Sequence, residues 1–414
     1  LALAHEGKPA MTNSAAADAV SAQTPRLIDR ASQLYEVLDA LDKGLPVALD
    51  TEFHSERTYV PRLMLLQLAT PEGLWLLDPL SLDLKPVIEK LARPGQVVLG
   101  HAVRNDLRIL WQVYGVRFDM VLDTQVAAAF LGHGLQVGLA HLLMRELNVK
   151  LSKGEQMADW SQRPLPEKLK VYAAGDVLYL AELWQLLVGR LQERGRLGWV
   201  EQECRDLCDP SQFDRDPDQA GDRVSGARRL DARETGVVYA LAAERERLAQ
   251  QEDVVPHFLL PDEMLLAMAK ALPRTLRDLQ ADRRLQQRGV HRHGQRWLDA
   301  IALGLQNPIQ RAPGRAPPPP ELEAVAGLAM LLLADLATRE LVAPQLLLKR
   351  DTLIGALQDA PSTAEDLAKA CGLRGWRKEL VLGPLWQFLS GRTLASCAVG
   401  GEAGVRLVFA PAGS

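Results

Sequence analysis

Two carboxylates, Asp50 and Glu52, sit in the stretch "VALDTEF" where an apolar strand would be expected to continue. Side chains alternate faces along a strand, so these two acids share one face and repel unless a cation lies between them. A third acid, Asp106, stands near the start of an expected helix in "GHAVRNDLRIL". A phenol and a fourth acid, Tyr172 and Asp176, lie four apart in "YAAGD", hence on one helix face. Hard divalent cations take oxygen ligands, and carboxylates supply both ligation and charge. Four acids arriving at one cleft point to phosphodiester cleavage assisted by two metal ions about 3.5–4 Å apart. A phenol near the attacking water can orient it or accept its proton. Each residue alone has a plainer reading. A strand Asp-x-Glu can be a solvated edge, Asp106 a first-turn acid complementing the helix dipole, Tyr172 a core aromatic and Asp176 a solvated helix residue.

The elements that must carry these groups are read from the apolar pattern. "LPVALDTEF" reads as a buried strand; "RLMLLQLA" and "GLWLLDP" form a hairpin around Pro71, Glu72 and Gly73. "QVVLGHA" is a short strand, and "RNDLRILWQVYG" a helix stopped at Gly115. "VRFDMVLD" is expected as a fifth strand with Asp123 as a helix N-cap. Helices follow through "EKLKVYAAGDVLYLAELWQLLVGRLQERG". Three strands in sequence, then strands alternating with helices, predict a mixed sheet flanked by helices.

The 414 residues are 47% hydrophobic and 24% charged, with a formal net charge of -4. That balance excludes a generally basic nucleic-acid binder, so such contacts must be local or made through metal. No apolar run approaches the ~20 residues of a membrane span, and no membrane partner is expected. Cys204, Cys208, Cys371 and Cys397 complete no zinc site and read as reduced thiols, which fits the cytoplasm. Residues 1–24 are expected to be a disordered leader, 25–206 the mixed domain and 207–229 an Asp/Gly/Pro-rich linker. Two helical modules follow at 230–310 and 321–398, joined by the proline-rich 311–320, with a tail at 399–414. Their equal length hints at a diverged duplication.

Taken jointly, "LDTEFHSERTYVPRLMLLQLA", "GHAVRNDLRIL", "WSQRPLPEKLKVYAAGDVLYL" and the helical C-terminal half resemble the bacterial ribonuclease D family. These are 3'-to-5' exonucleases with four acids and a tyrosine (the DEDDy class), and the resemblance extends from about Pro25 to Arg392. It implies an α/β ribonuclease H-like exonuclease domain followed by two all-α HRDC-type domains. It assigns Asp50, Glu52, Asp106 and Asp176 to two divalent ions, Mg²⁺ or Mn²⁺, and Tyr172 to the attacking water. It implies a monomeric enzyme that takes nucleotides as 5'-monophosphates from RNA 3' ends, tRNA precursors among them. The alternatives are a DNA 3'-to-5' exonuclease with the same site and a non-catalytic RNA-binding scaffold. The chain departs from the family pattern at His54, Ser55, Gly175 and Glu244, none of them among the five catalytic groups.

Other residues carry weaker expectations. His101 is expected to be a hydrogen-bonded structural residue, Phe53 a core residue and Trp160 a loop anchor beside Arg163 and Pro164. Arg57, Thr58 and Tyr59 could touch the 3'-terminal nucleotide. The basic run Arg283–Arg296 reads either as an RNA grip or as a solvated helix face.

Overall fold

The fold was taken from a computed structural model of the chain, which describes residues 24–151, 154–155, 158–227, 230–281, 285, 287–310, 315–399 and 405–412. The expected leader lies almost wholly outside the described residues.

A six-stranded sheet in the order β1-β4-β3-β2-β5-β6 forms the centre of the N-terminal half. Its strands are β1 (Arg26–Ile28), β2 (Val47–His54), β3 (Arg62–Thr70), β4 (Gly73–Leu77), β5 (Val98–Gly100) and β6 (Leu122–Asp123). β2, β3 and β4 are antiparallel neighbours, whereas β5 lies parallel to β2, β6 to β5 and β1 to β4. This is the mixed sheet the pattern predicts. β1 was not anticipated, because three residues are too few to show a period of two. "VRFDMVLD" contributes only two residues of strand, since Phe118 and Val121 are buried from an irregular approach to β6.

β3 is buried along nearly its whole length and packs apolar side chains on both faces, as a central strand must. Helices α1 (Leu34–Asp42), α2 (Lys85–Leu91) and α3 (Arg104–Tyr114) cover one face, joining Val37, Leu41, Val87, Ile88 and Leu110 to Leu66 and Leu68. After α4 (Thr124–Ala129) and α5 (Leu139–Glu146), the long pair α6 (Glu167–Leu178) and α7 (Leu180–Glu193) covers the other face through Leu169, Ala173, Ala174 and Val177. By length and composition Glu167–Glu193 could cross a bilayer, contrary to the reading that no segment reaches that length. Its apolarity has a different cause here: one face lies on the sheet and another meets the C-terminal helices.

α8 (Leu197–Leu207) carries Cys204, buried, with Cys208 just past its end; among the described residues Cys204, Cys208 and Cys371 are free thiols. Within the segment expected as a linker, residues 207–227 form short structured elements. Asp209 and Asp216 cap short 3₁₀ turns that begin at Pro210 and Pro217. Phe213 packs into the sheet's core, and Ala220, Val224 and Ala227 into the core of the following module. The Asp-Pro pairs that suggested a linker are cap-and-first-turn signals for helices too short to show periodicity.

Two helical modules then repeat one succession. The first runs α9 (Ala232–Glu252), α10 (Pro256–Leu259), α11 (Asp262–Ala271), α12 (Leu276–Ala281) and α13 (Gln287–Gln306). The second runs α14 (Pro320–Glu340), a 3₁₀ turn at Pro344–Leu346, α15 (Arg350–Gln358), α16 (Ala364–Ala370) and α17 (Gly375–Leu389). In both, the first helix has 21 residues, ends on a left-handed residue (Asp253, Leu341) and gives way to a short turn opened by proline. The first module has a core of its own around Leu241, Leu265 and Trp297. The second instead shares a continuous core with the exonuclease half, where Phe130, Trp199 and Trp376 pack ring to ring. The tail forms the hairpin β7 (Thr393–Val399) and β8 (Val405–Pro411), so strand pairing begins before the expected boundary at 399.

Candidate active site

Asp50, Glu52 and Asp176 come together. One oxygen from each lies within 4.8 Å of the others. Asp50 and Glu52 project from the same face of β2, and α6 brings Asp176 across that face. All three are half-buried. Asp106 reaches the group from the side. β5 pairs with β2 only at Val47 and Ala48, so β2 has no β5 partner beyond that point and the first turn of α3 approaches its edge. Asp106 is buried there and accepts a hydrogen bond from the Thr51 hydroxyl. It therefore lies beside the three-carboxylate set rather than inside it.

The electrostatics tie the four together. Burial, then Asp106, Asp176 and Glu52 in turn, push the Asp50 carboxyl well above the usual carboxylate range. Burial pushes Glu52 up to about 8, with Asp176 and then Asp106 adding to it. Asp106 rises to about 7 by burial against the opposing pull of the Thr51 hydrogen bond, and Asp176 to about 7 by burial and by Asp106. Four carboxylates crowded in this way repel one another, and a divalent cation is the group that would offset their charge. Asp50, Glu52 and Asp176 fit such an ion in donor chemistry and in spacing.

Several residues that position these acids gave weak signals. Gln67 faces Asp50 across the β2–β3 ladder, is fully buried, and its side-chain amide donates to Asp50 Oδ2 at 3.3 Å. A lone amide inside "RLMLLQLA" was the available sign. The ladder slips between Glu52 and Phe53, so that Glu52 faces Leu65, Phe53 faces Leu63, and Met64 falls out of register. Such a bulge re-aims neighbouring side chains. The Met64 carbonyl takes the Arg163 guanidinium at 2.8 Å, and the same guanidinium holds buried Asp78 through two bonds of 2.7 Å. Arg163 also bonds the Trp160 carbonyl, fastening the loop before α6 to the sheet. Replacing Arg163 by Ala leaves Asp78 with only the Leu80 amide and Ser81 hydroxyl. We expect it to cost about 2–4 kcal/mol, the scale for breaking a buried pair, read as a fall in Tm. An unchanged Tm would show the anchor to be dispensable.

Asp123 caps α4 as expected and also does something the sequence did not show. Its carboxylate takes the Ala102 and Val103 amides at 2.9 and 3.0 Å. That clamp holds Ala102 at φ 59 and launches α3, and with it Asp106. Gly100 is needed in the same turn, since a Cβ there would meet Val103 Cγ1 at 2.2 Å. His101 bridges Thr124 and the Val137 carbonyl, a structural role. Trp160 is buried against Leu65 and Tyr172, an anchor and not a base-stacking surface. Phe53 packs against the core.

Tyr172 and Asp176 line a cavity of about 650 Å³ together with His141, Met144 and Lys150. The last three gave no signal in the sequence, since nothing in an α5 pattern says what its exposed side faces. Gly175, where the family pattern has alanine, has a helical φ, and a Cβ there would meet only the end of Leu151 at an ordinary 3.4 Å. Gly175→Ala is expected to stabilise the chain by about 0.5–1 kcal/mol, seen as a rise in Tm. A fall would mean that α6 is not a regular helix at this point.

Two expectations fail in part. Tyr59 is turned away to the first helical module, its hydroxyl donating to Glu246 at 2.6 Å, so it does not point toward the cleft. Of the basic run, Arg292 and His293 face Glu252, and Arg296 pairs with Glu244. In the described part of the run Arg292, His293 and Arg296 meet acids of α9 while His291 and Arg292 stay exposed, as a solvated helix face would be; residues 283, 284 and 286 and the Arg288 side chain lie outside the described residues.

Comparison with known proteins agrees with this geometry. The 3'-5' exonuclease family model matches residues 25–192, and the HRDC domain model matches 234–301. Ribonuclease D of Gluconacetobacter diazotrophicus is 36% identical over 89% of this chain and 94% of that protein. Ribonuclease D of Bartonella henselae is 30% identical over 89% of this chain and 90% of its own length. The crystal structure of Escherichia coli RNase D, described as an exoribonuclease involved in structured RNA processing, aligns with a TM-score of 0.76 and 27% identity, covering 89% of this chain and 99% of that one. With this sheet, these acids and this match over nearly its full length, the chain belongs to the ribonuclease D family and is a 3'-to-5' exoribonuclease of that type.

Proposed function

We propose that the enzyme trims the 3' ends of small structured RNAs, tRNA precursors among them, releasing nucleoside 5'-monophosphates one at a time in the cytoplasm. The observation that carries the assignment of the site is the meeting of Asp50, Glu52 and Asp176 oxygens, with Asp176 also lining a cavity wide enough for a nucleotide. In this reading Asp50, Glu52 and Asp176 hold two divalent ions, with Asp106 completing the set from the α3 side. When bound, such ions supply charge neutralisation at the scissile phosphate and a water of lowered pKa. Gln67 keeps Asp50 aimed into the cleft. Tyr172, one helical turn before Asp176, orients the attacking water, and Lys150 and His141 lie where they can meet the phosphate side of the terminal nucleotide. The reduced state of the described cysteines fits a reducing compartment.

The test is digestion of a 5'-labelled RNA with a 3' extension, with Mg²⁺ and with EDTA. A ladder shortening from the 3' end, with mononucleotides carrying a 5'-phosphate, is the expected product pattern; internal fragments would overturn it. Tyr172→Phe is expected to lower kcat by about 10²-fold, the scale for losing a positioned proton-transfer or water-orienting group, with KM little changed. An unaltered kcat would remove the phenol from the mechanism.

A further inference from the structure

A second polar pocket, apart from the catalytic cleft, lies at the seam between the exonuclease half and the first helical module. Ser55, Thr58 and Tyr59 from the β2–β3 loop, Arg108 and Gln112 from α3, Arg215 from the connection and Pro256 at the start of α10 line a pocket of about 130 Å³. Arg108 is two residues past Asp106, about 200° around the helix, so it faces away from the carboxylates.

The chemistry of this pocket is unbalanced. Neither the Arg108 nor the Arg215 guanidinium has an ion pair or hydrogen bond among the described residues. Arg215 lies over the Tyr59 ring at 5.8 Å. Arg108 Nε is buried without a partner, and so is Gln112 Oε1. Burial, and after it the neighbouring Arg215, work against the Arg108 charge. Three carboxylates near the seam are engaged with other groups. Glu246 accepts from Tyr59 and faces Arg223, Asp253 takes the Val60 amide, and Asp214 takes the Trp111 indole. An arginine stays charged under any ordinary condition. Arg108 is half-buried and Arg215 exposed, so an anion can enter from solvent and pair with both guanidiniums at once.

We propose that this pocket holds a phosphate group, gripped between Arg108 and Arg215 with the Ser55 and Thr58 hydroxyls and the Gln112 amide around it. A cavity of 130 Å³ has room for one phosphate group. The phosphate has two possible sources. One is an internal phosphodiester of the substrate strand, some nucleotides from its 3' end; this source rests on the exoribonuclease reading. The other is a free phosphate or phosphomonoester, which does not.

Two measurements on the full chain separate these. Inorganic phosphate is titrated calorimetrically in EDTA, so that no metal in the cleft contributes. Wild type is expected to bind it, Arg108→Gln and Arg215→Gln at least tenfold more weakly, and Arg108→Lys in between. In parallel, KM is measured with Mg²⁺ for RNAs of two to twelve nucleotides. If the strand is the source, wild-type KM falls at the length that reaches the seam, Arg108→Gln abolishes that step, and the salt dependence for the longest RNA shallows by about 0.7 in log–log slope. Phosphate binding that is lost in the variants with no length step assigns the pocket to a small phosphate. A wild type that binds no phosphate and shows no length step overturns the proposal. A wild type that cleaves no RNA overturns the function reading, while the titration still decides the pocket. Thermal melts check folding, and Arg108→Gln, which removes one of two neighbouring like charges, is expected to melt no lower than wild type.

Discussion

Replacing Asp50 by Asn should reduce RNA turnover in Mg²⁺ by at least about 10³-fold, or ~4 kcal/mol of transition-state stabilisation. The substitution keeps the shape of the side chain and removes one charge. Asp50 is the member of the group whose charge is coupled to all three others, Asp106, Asp176 and Glu52. It also receives the Gln67 amide, which an asparagine can satisfy equally well, so the fold should survive. RNA binding should stay within about threefold of wild type, because a carboxylate repels phosphates rather than holding them. The two readouts are single-turnover cleavage and binding of the same labelled RNA in EDTA. Near-wild-type cleavage would dismiss Asp50 as a metal ligand; lost binding together with a lowered Tm would mean that the variant misfolds.

Glu52→Gln should abolish activity to a similar extent and yet raise the melting temperature of the metal-free chain. The sign follows from linkage. The folded pKa of Glu52, about 8, lies above its ordinary value of 4.5, so the folded state binds more protons than the unfolded state between those limits. Stability then falls as pH rises through that window. Asp106 and Asp176, each raised to about 7, act in the same direction. In EDTA at pH 8 the neutral glutamine should therefore be more stable than glutamate by roughly 2–3 kcal/mol, after allowance for solvent in the open cleft. At pH 4 the two should melt alike. Adding Mg²⁺ at pH 8 should raise the Tm of wild type and leave that of the variant nearly unmoved. Equal melting at pH 8 without metal would mean that the carboxylates are not crowded, and the metal-site reading would lose its physical basis. Function here is bought with stability, as is common where like charges are held together for catalysis.

Much of the site was legible in the order of the residues. Asp50 and Glu52 had to share a face because a strand has a period of two, and Tyr172 and Asp176 had to share one because a helix returns every four residues. The mixed sheet was legible as well, since each of its longer strands carries its own apolar run. What escaped the pattern depended on partners distant in the chain. Gln67, Thr51 and Arg163, and Asp123 in its grip on the Ala102 and Val103 amides, work through groups brought to them by tertiary contact, and no local period marks such a pairing. The two short 3₁₀ turns around Asp209 and Asp216 were missed because elements of three to seven residues show no amphipathic repeat.

The amino-acid sequence thus determined which chemical groups are available and which local element presents each of them, because backbone periodicity acts over a few residues. Only the tertiary structure decided that Asp106 arrives beside β2 by way of Thr51, that the second helical module shares the exonuclease core, and that Tyr59 turns toward α9. Those outcomes are set by how apolar faces close on one another across long chain separations, and by where the charges left at the seams find counter-charges.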